Sequence, residues 1–242
     1  MRVITRNRRL PIVALWVLAT MGWISVLYLV WVVATDSWDR TMFSFQAIAG
    51  RLPELDPFNQ RYVENPRLTL FHTIPGMLFA VLGPLQFMGP IRRRFPRVHR
   101  VSGRVFVVIG ILSGIAAFLI GFRFPIWGFG FNWTINAAAS LFMVYAFVTA
   151  FRHAKARRFP VHREWMIRGF SIGLGVALFR VFLRDVLPRL GMESFDDRWN
   201  TVVWISFPIM LGIAELWIRA TRPKVRVPAA APEVPAGATE PL

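Results

Sequence analysis

Cysteine is absent from the 242 residues. That excludes disulfides, thiolate metal sites and cysteine nucleophiles, but identifies no compartment. Charge is scarce too: 17% of residues are charged, where a soluble domain carries about a quarter. Acid is the rarer sign, with 13 Asp and Glu against 29 Lys and Arg. No serine triad, paired-carboxylate site or zinc cluster is recognisable, which argues against an enzyme acting on a soluble substrate. What is abundant is apolar: 55% of residues are hydrophobic, so the class is integral membrane protein. The net charge of +16 does not point to nucleic acid, because no basic stretch lies in a soluble domain of its own. In so apolar a chain, basic residues set topology and meet the anionic headgroups of the lipid bilayer.

The apolar residues fall into six runs long enough to span a bilayer. The first, residues 10–34, follows Arg2, Arg6, Arg8 and Arg9. It is longer than the apolar region of a cleaved leader, about 7–15 residues, and reads as a signal-anchor helix. Residues 35–67 are polar and broken by Pro53, Pro57 and Pro66, with a short interfacial helix expected over 43–49. The core is expected over 68–190, an outer loop and sixth helix over 191–218, and a Pro/Ala-rich tail without enough apolar bulk to fold over 219–242. Gly103, Gly110 and Gly114 on the third span suit close helix approach. Twenty of the 29 basic residues fall on the side of the termini and eight on the other, with Arg180 inside a span. This bias predicts both termini in the cytoplasm and the chain in a bacterial inner membrane.

A short stretch occurs twice: RRFPRVHR at 93–100 and RRFPVHR at 157–163. Phe95 and Phe159 are 64 positions apart, and His99 and His162 are 63 apart because of the inserted Arg97. The first offset pairs His72 with Asn136. The middle of the chain therefore reads as a duplicated helical hairpin with a basic turn at each tip. The fold expected is all-α: six transmembrane helices around a four-helix bundle, with a pseudo-twofold axis along the membrane normal.

Two constellations carry possible chemistry. His99 and His162 are equivalent residues at the cytoplasmic mouth of spans three and five, and two facing imidazoles are what a b-type haem requires. The competing reading gives them to lipid phosphates and helix ends beside Arg100 and Arg163. His153 is a third donor in that layer, without a repeat partner. The second constellation is on the outer side. His72 and Asn136 each lie one turn inside a span, and Arg180 lies roughly 22 Å along the fifth helix. An intramembrane arginine is a functional hypothesis by default. Asp36 and Asp185 are available counter-ions, and such a pocket suits a quinone carbonyl, a carboxylate or another small anion. The competing reading has Arg180 snorkelling outward while His72 makes one interhelical bond. Gln86 and Glu215 read as packing hydrogen bonds.

The order His72-Thr-Ile-Pro-Gly76, Gly83-Pro-Leu-Gln86, His99-Arg100 with Gly103-Arg104, His162-Arg163-Glu-Trp-Met166 with Arg168, then Arg180, resembles the bacterial membrane proteins grouped as domain of unknown function 2306. The resemblance implies a membrane protein and no particular activity. A looser similarity is to the six-span bundle of the cytochrome b561 type, which implies histidines holding two haems. Here the chain departs from that pattern, because His72 is matched by Asn136 and His99 and His162 stand at helix starts. The preferred reading is a non-enzymatic membrane protein with an outer small-molecule site around His72, Asn136 and Arg180. A haem- or quinone-linked electron carrier using His99 and His162 is the first alternative, and a small-molecule transporter the second.

Overall fold

The computed structural model describes residues 12–51, 54, 55, 57–123 and 131–222. Helices α1 (Ile12–Ile48), α2 (Pro57–Glu64), α3 (Pro66–Phe87), α4 (Gly89–Arg94), α5 (Pro96–Arg123), α6 (Phe131–Lys155), α7 (Phe159–Val181), α8 (Leu187–Arg189) and α9 (Phe195–Thr221) follow in order, with a π-helical turn, Phe182–Val186, between α7 and α8. Six helices are long and apolar enough to cross a membrane, so the protein is an all-helical membrane protein with six spans. The arginines at positions 2–9, most of the aromatic loop after α5 and the tail beyond residue 222 lie outside the described residues.

The repeated motif starts each outgoing hairpin helix. Pro96 and Pro160 occupy the first turns of α5 and α7, where a missing N–H and a fixed φ favour helix entry. α9 begins at Ser194, whose hydroxyl accepts the Asp197 N–H at 3.3 Å. The tips, with α4 and the turn at 156–158, define a basic end of the bundle.

The first helix differs from expectation. It does not stop at residue 34 but continues to Ile48, absorbing the polar stretch and the separate helix expected over 43–49. No proline or glycine interrupts it between Gly22 and Gly50. One polar face of this stretch is not solvated: Ser37, Arg40, Thr41 and Ser44, spaced to share it, are all buried, while Asp39 and Gln46 are exposed. Thr41 and Ser44 return their hydroxyl hydrogens to Ser37 O and Arg40 O, each at 2.7 Å. The helix ends where Gly50 adopts φ +75°, with Arg51 N–H bonding Gln46 O and Gly50 N–H bonding Ala47 O.

Inside the bundle, α3 packs along α5, α5 along α6, and α6 along α7, while α9 covers α7. α3 and α7 make little backbone contact. α1 is more than a flanking helix: it lies along α3 and reaches α7. The core between these helices is aromatic. Phe79 stacks on Phe106 at 4.8 Å, and Phe147 meets both edge-on at 5.7 and 5.5 Å. Phe170 adjoins Phe79 at 5.6 Å and Phe106 at 6.0 Å. Phe106 and Phe147 are wholly buried. Glycines make room for the rings: Phe147 lies on Gly110, and Phe79 on the repeat-equivalent Gly173. The expected close approach at Gly103 and Gly114 is also present, against Gln86 and Val144.

Added methyl groups at Gly110 and Gly173 would overlap these rings, whereas Gly22 and Gly212 face open space. Overpacking a close-packed core costs about 1–3 kcal/mol. Gly110→Ala and Gly173→Ala are thus expected to lower the thermal midpoint in detergent, while Gly22→Ala and Gly212→Ala leave it level or higher. Equal effects of all four in a fluorescence melt would contradict the packing.

Candidate functional site

Arg180 on α7 is 8% exposed and does not snorkel. Its Nε lies 3.1 Å from Asp36 Oδ2, the counter-ion coming from the prolonged part of α1. Arg184, one turn further on, donates from Nη1 to Asp36 Oδ1 at 2.9 Å. Arg40, one turn after Asp36 on α1, approaches the same carboxylate at 3.6 Å and stacks its guanidinium over Tyr62 at 4.5 Å. Three guanidinium groups thus surround one carboxylate. Only Arg184 is well exposed, with half its side chain in contact with solvent, while the side chains of Arg40, Asp36 and Arg180 are 9, 15 and 10% exposed.

His72 on α3 has Arg180 and Arg40 as its charged neighbours. Thr73 beside it shares a 2.7 Å hydrogen bond with Thr41 of α1. Arg180 Nη1 and His72 Nδ1 are sealed from solvent and meet no partner among the described residues. Buried polar atoms are normally paired, so each exception needs a physical reason.

The duplication supplies a comparison within the chain. Applying the 63-residue offset of His99 and His162 to the outgoing helices pairs Ala117 with Arg180 and Gly121 with Arg184. Asn136, the equivalent of His72, donates from Nδ2 to Ala117 O at 3.4 Å and lies against Gly121. The contact of Asn136 with Ala117 joins the two hairpins, closing α5 against α6 with a neutral amide. The duplicated positions, His72 on α3 and Arg180 on α7, belong to helices that make little backbone contact, and there α1 brings in Asp36. The structure pairs Arg180 with Asp36, gives His72 Arg180 as a charged neighbour, and gives Asn136 to a different interface. Asp185 does not share in the cluster's ion pairs. Arg40, Thr41 and Thr73 are members that the sequence reading missed, because residues 35–67 read as a loop. The buried i, i+3, i+4, i+7 set of Ser37, Arg40, Thr41 and Ser44 was the available signal.

The π-helical turn follows from Pro188. Without an N–H, it cannot serve a carbonyl in the preceding turn. Leu187 N–H reaches back to Phe182 O, and Arg198 of α9 donates to Leu183 O at 3.3 Å. Such turns recur at functional sites, and this one directly follows Arg180.

At the basic end, His162 Nδ1 lies 2.9 Å from Ala150 O, so that nitrogen carries the hydrogen. His99 Nδ1 is sealed and meets no partner among the described residues. Two turns deeper, the rings of Phe106 and Phe170 meet between α5 and α7 at 6.0 Å. The neighbouring HREWMIR stretch binds α9. Arg168 pairs with Glu215 through Nε to Oε1 and Nη2 to Oε2, the latter at 3.1 Å, and lies over Trp165 at 4.8 Å. Glu164 takes two bonds from Arg222 at 2.8 and 3.0 Å, and Arg163 donates to Thr221 at 2.7 Å. Glu215 is thus half of an ion pair, beyond the packing hydrogen bond expected. Gln86 makes the expected contact, donating to Ser102 across the helix interface at 2.9 Å.

No group of three metal-ligating side chains occurs among the described residues. An open groove of about 510 Å³ between the start of α3 and the end of α5, lined by Asn65, Leu68, Leu119 and Phe122, contains neither His72 nor Arg180. Compared with known proteins, residues 69–218 match the family described as "Predicted membrane protein (DUF2306)". No curated protein and no solved structure matches the chain.

The α7–α9 clamp is testable apart from the polar cluster. Removing one member of a partly buried pair leaves the other charge desolvated, costing about 1–3 kcal/mol. Arg168→Met or Glu215→Leu alone is expected to lower the thermal midpoint, and the double variant to recover part of that loss. Strictly additive losses would refute the pairing.

Proposed function

The chain belongs to the DUF2306 family of predicted membrane proteins, and from that premise we propose that it binds a small molecule within the membrane, at the extracytoplasmic face, without catalysing a reaction on it. The site comprises His72, Arg180 and Asp36, with Arg40 and Arg184 at its edge. The observation that carries this reading is the contrast between duplicated positions. The residues that correspond to His72 and Arg180 are Asn136 and Ala117, joined by a neutral amide bond, so the duplicated pattern does not itself call for an arginine and a histidine. The sealed Arg180 Nη1 donor and the sealed His72 Nδ1, a donor in one tautomer, provide the recognition groups. The ligand class they suit is a carboxylate, a phosphate or another small anion, or a quinone carbonyl.

The orientation proposed places the basic end and both termini in the cytoplasm of an inner membrane. Support comes from charge: Arg92, Arg93, Arg94, Arg97, Arg100, Arg104, Arg152, Arg157 and Arg158 are exposed at that end, and no acidic residue occurs between Glu64 and Glu164. Anionic lipid headgroups are their natural partners.

The absence of cysteine makes the orientation direct to test. In spheroplasts, a membrane-impermeant maleimide is expected to label Glu193→Cys and to miss Ala156→Cys until the membrane is opened. The reverse pattern would overturn the assignment.

The site is tested by melting the purified protein with phosphate, acetate or a short-chain quinone. At least one is expected to raise the midpoint, by an amount that grows with concentration as binding to the native state requires. Arg180→Ala is expected to abolish that rise. A rise unchanged in Arg180→Ala, or no rise with any probe, would sink the reading.

A further inference from the structure

We infer that Asp36 is a built-in counter-ion occupying part of its own site, and that the external ligand is a small oxyanion, a carboxylate or phosphate, which replaces it on Arg180 and Arg184. This rests on the reading above and narrows it. Asp36 uses its two oxygens separately, Oδ2 toward Arg180 Nε and Oδ1 toward Arg184 Nη1. A carboxylate bridging two guanidiniums one helical turn apart is an arrangement that a free carboxylate or phosphate can reproduce. Arg180 Nη1, which Asp36 leaves unused, is the additional donor that a larger anion reaches.

Charge decides between the ligand classes. Arg180 and Arg184 share the single carboxylate of Asp36, so this pair is cationic with Asp36 in place, before Arg40 is counted. A neutral quinone accepts hydrogen bonds there but offsets none of the surplus, whereas an oxyanion does both. Access follows the exposure gradient: Arg184 is half exposed, Asp36 lies behind it, and Arg180 is buried. An anion arriving from the end opposite the basic turns meets Arg184 first.

The fold permits the exchange. Asp36 ties α1 to α7, and the hydrogen bond between Thr41 and Thr73 ties it to α3. The aromatic core starts about two turns deeper, at Phe79 on α3 and Phe170 on α7. Since α3 and α7 make little direct backbone contact beside this part of α1, the Asp36 carboxylate can swing from Arg180 without unpacking the phenylalanines. The other repeat again provides the comparison. Where Ala117 and Gly121 replace the arginines, the neutral Asn136 stands against them.

Calorimetry or thermal titration of the full chain in detergent, with inorganic phosphate and acetate as probes and sodium chloride matched for ionic strength, tests the proposal. Asp36→Asn is expected to bind phosphate about tenfold or more tightly than the native chain, because the competing carboxylate is gone and both arginines remain. Arg184→Gln, at an exposed position compatible with folding, is expected to weaken phosphate binding several-fold and to blunt its salt dependence. Equal phosphate affinity in the native chain and Asp36→Asn would overturn the counter-ion role. If Asp36→Asn does not fold, unchanged affinity in Arg184→Gln would overturn it instead. A short-chain quinone that binds the native chain more tightly than either anion would overturn the ligand class. All three results leave the site itself intact provided binding vanishes in Arg180→Ala. Binding that survives in Arg180→Ala would instead remove the site on which the inference stands.

Discussion

A guanidinium inside a membrane span has to be accompanied, and much of the non-repetitive structure here follows from accompanying Arg180. Arg180 is buried, and an unpaired charge inside a span is costly. The nearest acid along α7, Asp185, lies outside the cluster, so the counter-ion comes from another helix. That helix is α1, which carries Asp36 only because it continues well past its apolar run, to Ile48. At about 1.5 Å per residue its 37 residues exceed what a hydrocarbon layer of about 30 Å requires. The surplus length carries Asp36, Arg40 and Thr41 to α3 and α7. The buried polar face of α1, Ser37, Arg40, Thr41 and Ser44, therefore belongs to the bundle's interior.

The remaining four central helices obey a simpler rule. Each hairpin pairs a glycine on the outgoing helix with a phenylalanine from an incoming one, Gly110 with Phe147 and Gly173 with Phe79. Close backbone approach and dispersion replace the hydrophobic effect as the source of helix association in lipid. Because this packing lies below the polar cluster, it holds the bundle together whether or not the cluster is intact. Duplication gave two sets of corresponding positions and the chain kept one neutral. The asymmetry between Asn136 and His72, and between Ala117 and Arg180, is therefore not something the repeated architecture demands.

Legibility in the sequence varied with the physical signal behind each feature. Six apolar runs and the two RRFP turns were plain, since bilayer thickness and duplication leave long patterns. Arg180 and His72 stood out because polar groups are rare in spans. The course of α1 did not, because Asp36, Asp39 and Arg40 lower local hydropathy as a solvated loop would. Burial of polar residues against other polar residues is a tertiary fact that a hydropathy scan misreads. Helical spacing of Ser37, Arg40, Thr41 and Ser44 was the remaining clue. Pairing of Arg168 with Glu215 was hidden for another reason: its members are 47 residues apart, and nothing local links them.

Two charged clusters lie on α7, and their compositions imply different purposes. At the basic end, carboxylates and guanidiniums alternate across the α7–α9 seam, Arg222 to Glu164 and Arg168 to Glu215, and hydroxyls such as Thr221 complete the set. Near-balance of that kind fixes the register of one helix on another. The cluster around Asp36 is unbalanced, with three guanidiniums on one carboxylate and a histidine beside them. Burying ion pairs is seldom stabilising relative to well-packed apolar groups, and burying a surplus of one sign is worse. A helix seam could be held at lower cost by the means used between α5 and α6, a glycine, an alanine carbonyl and one amide. An imbalance maintained at that cost is better explained as recognition than as adhesion, and the missing sign identifies what is recognised as an anion.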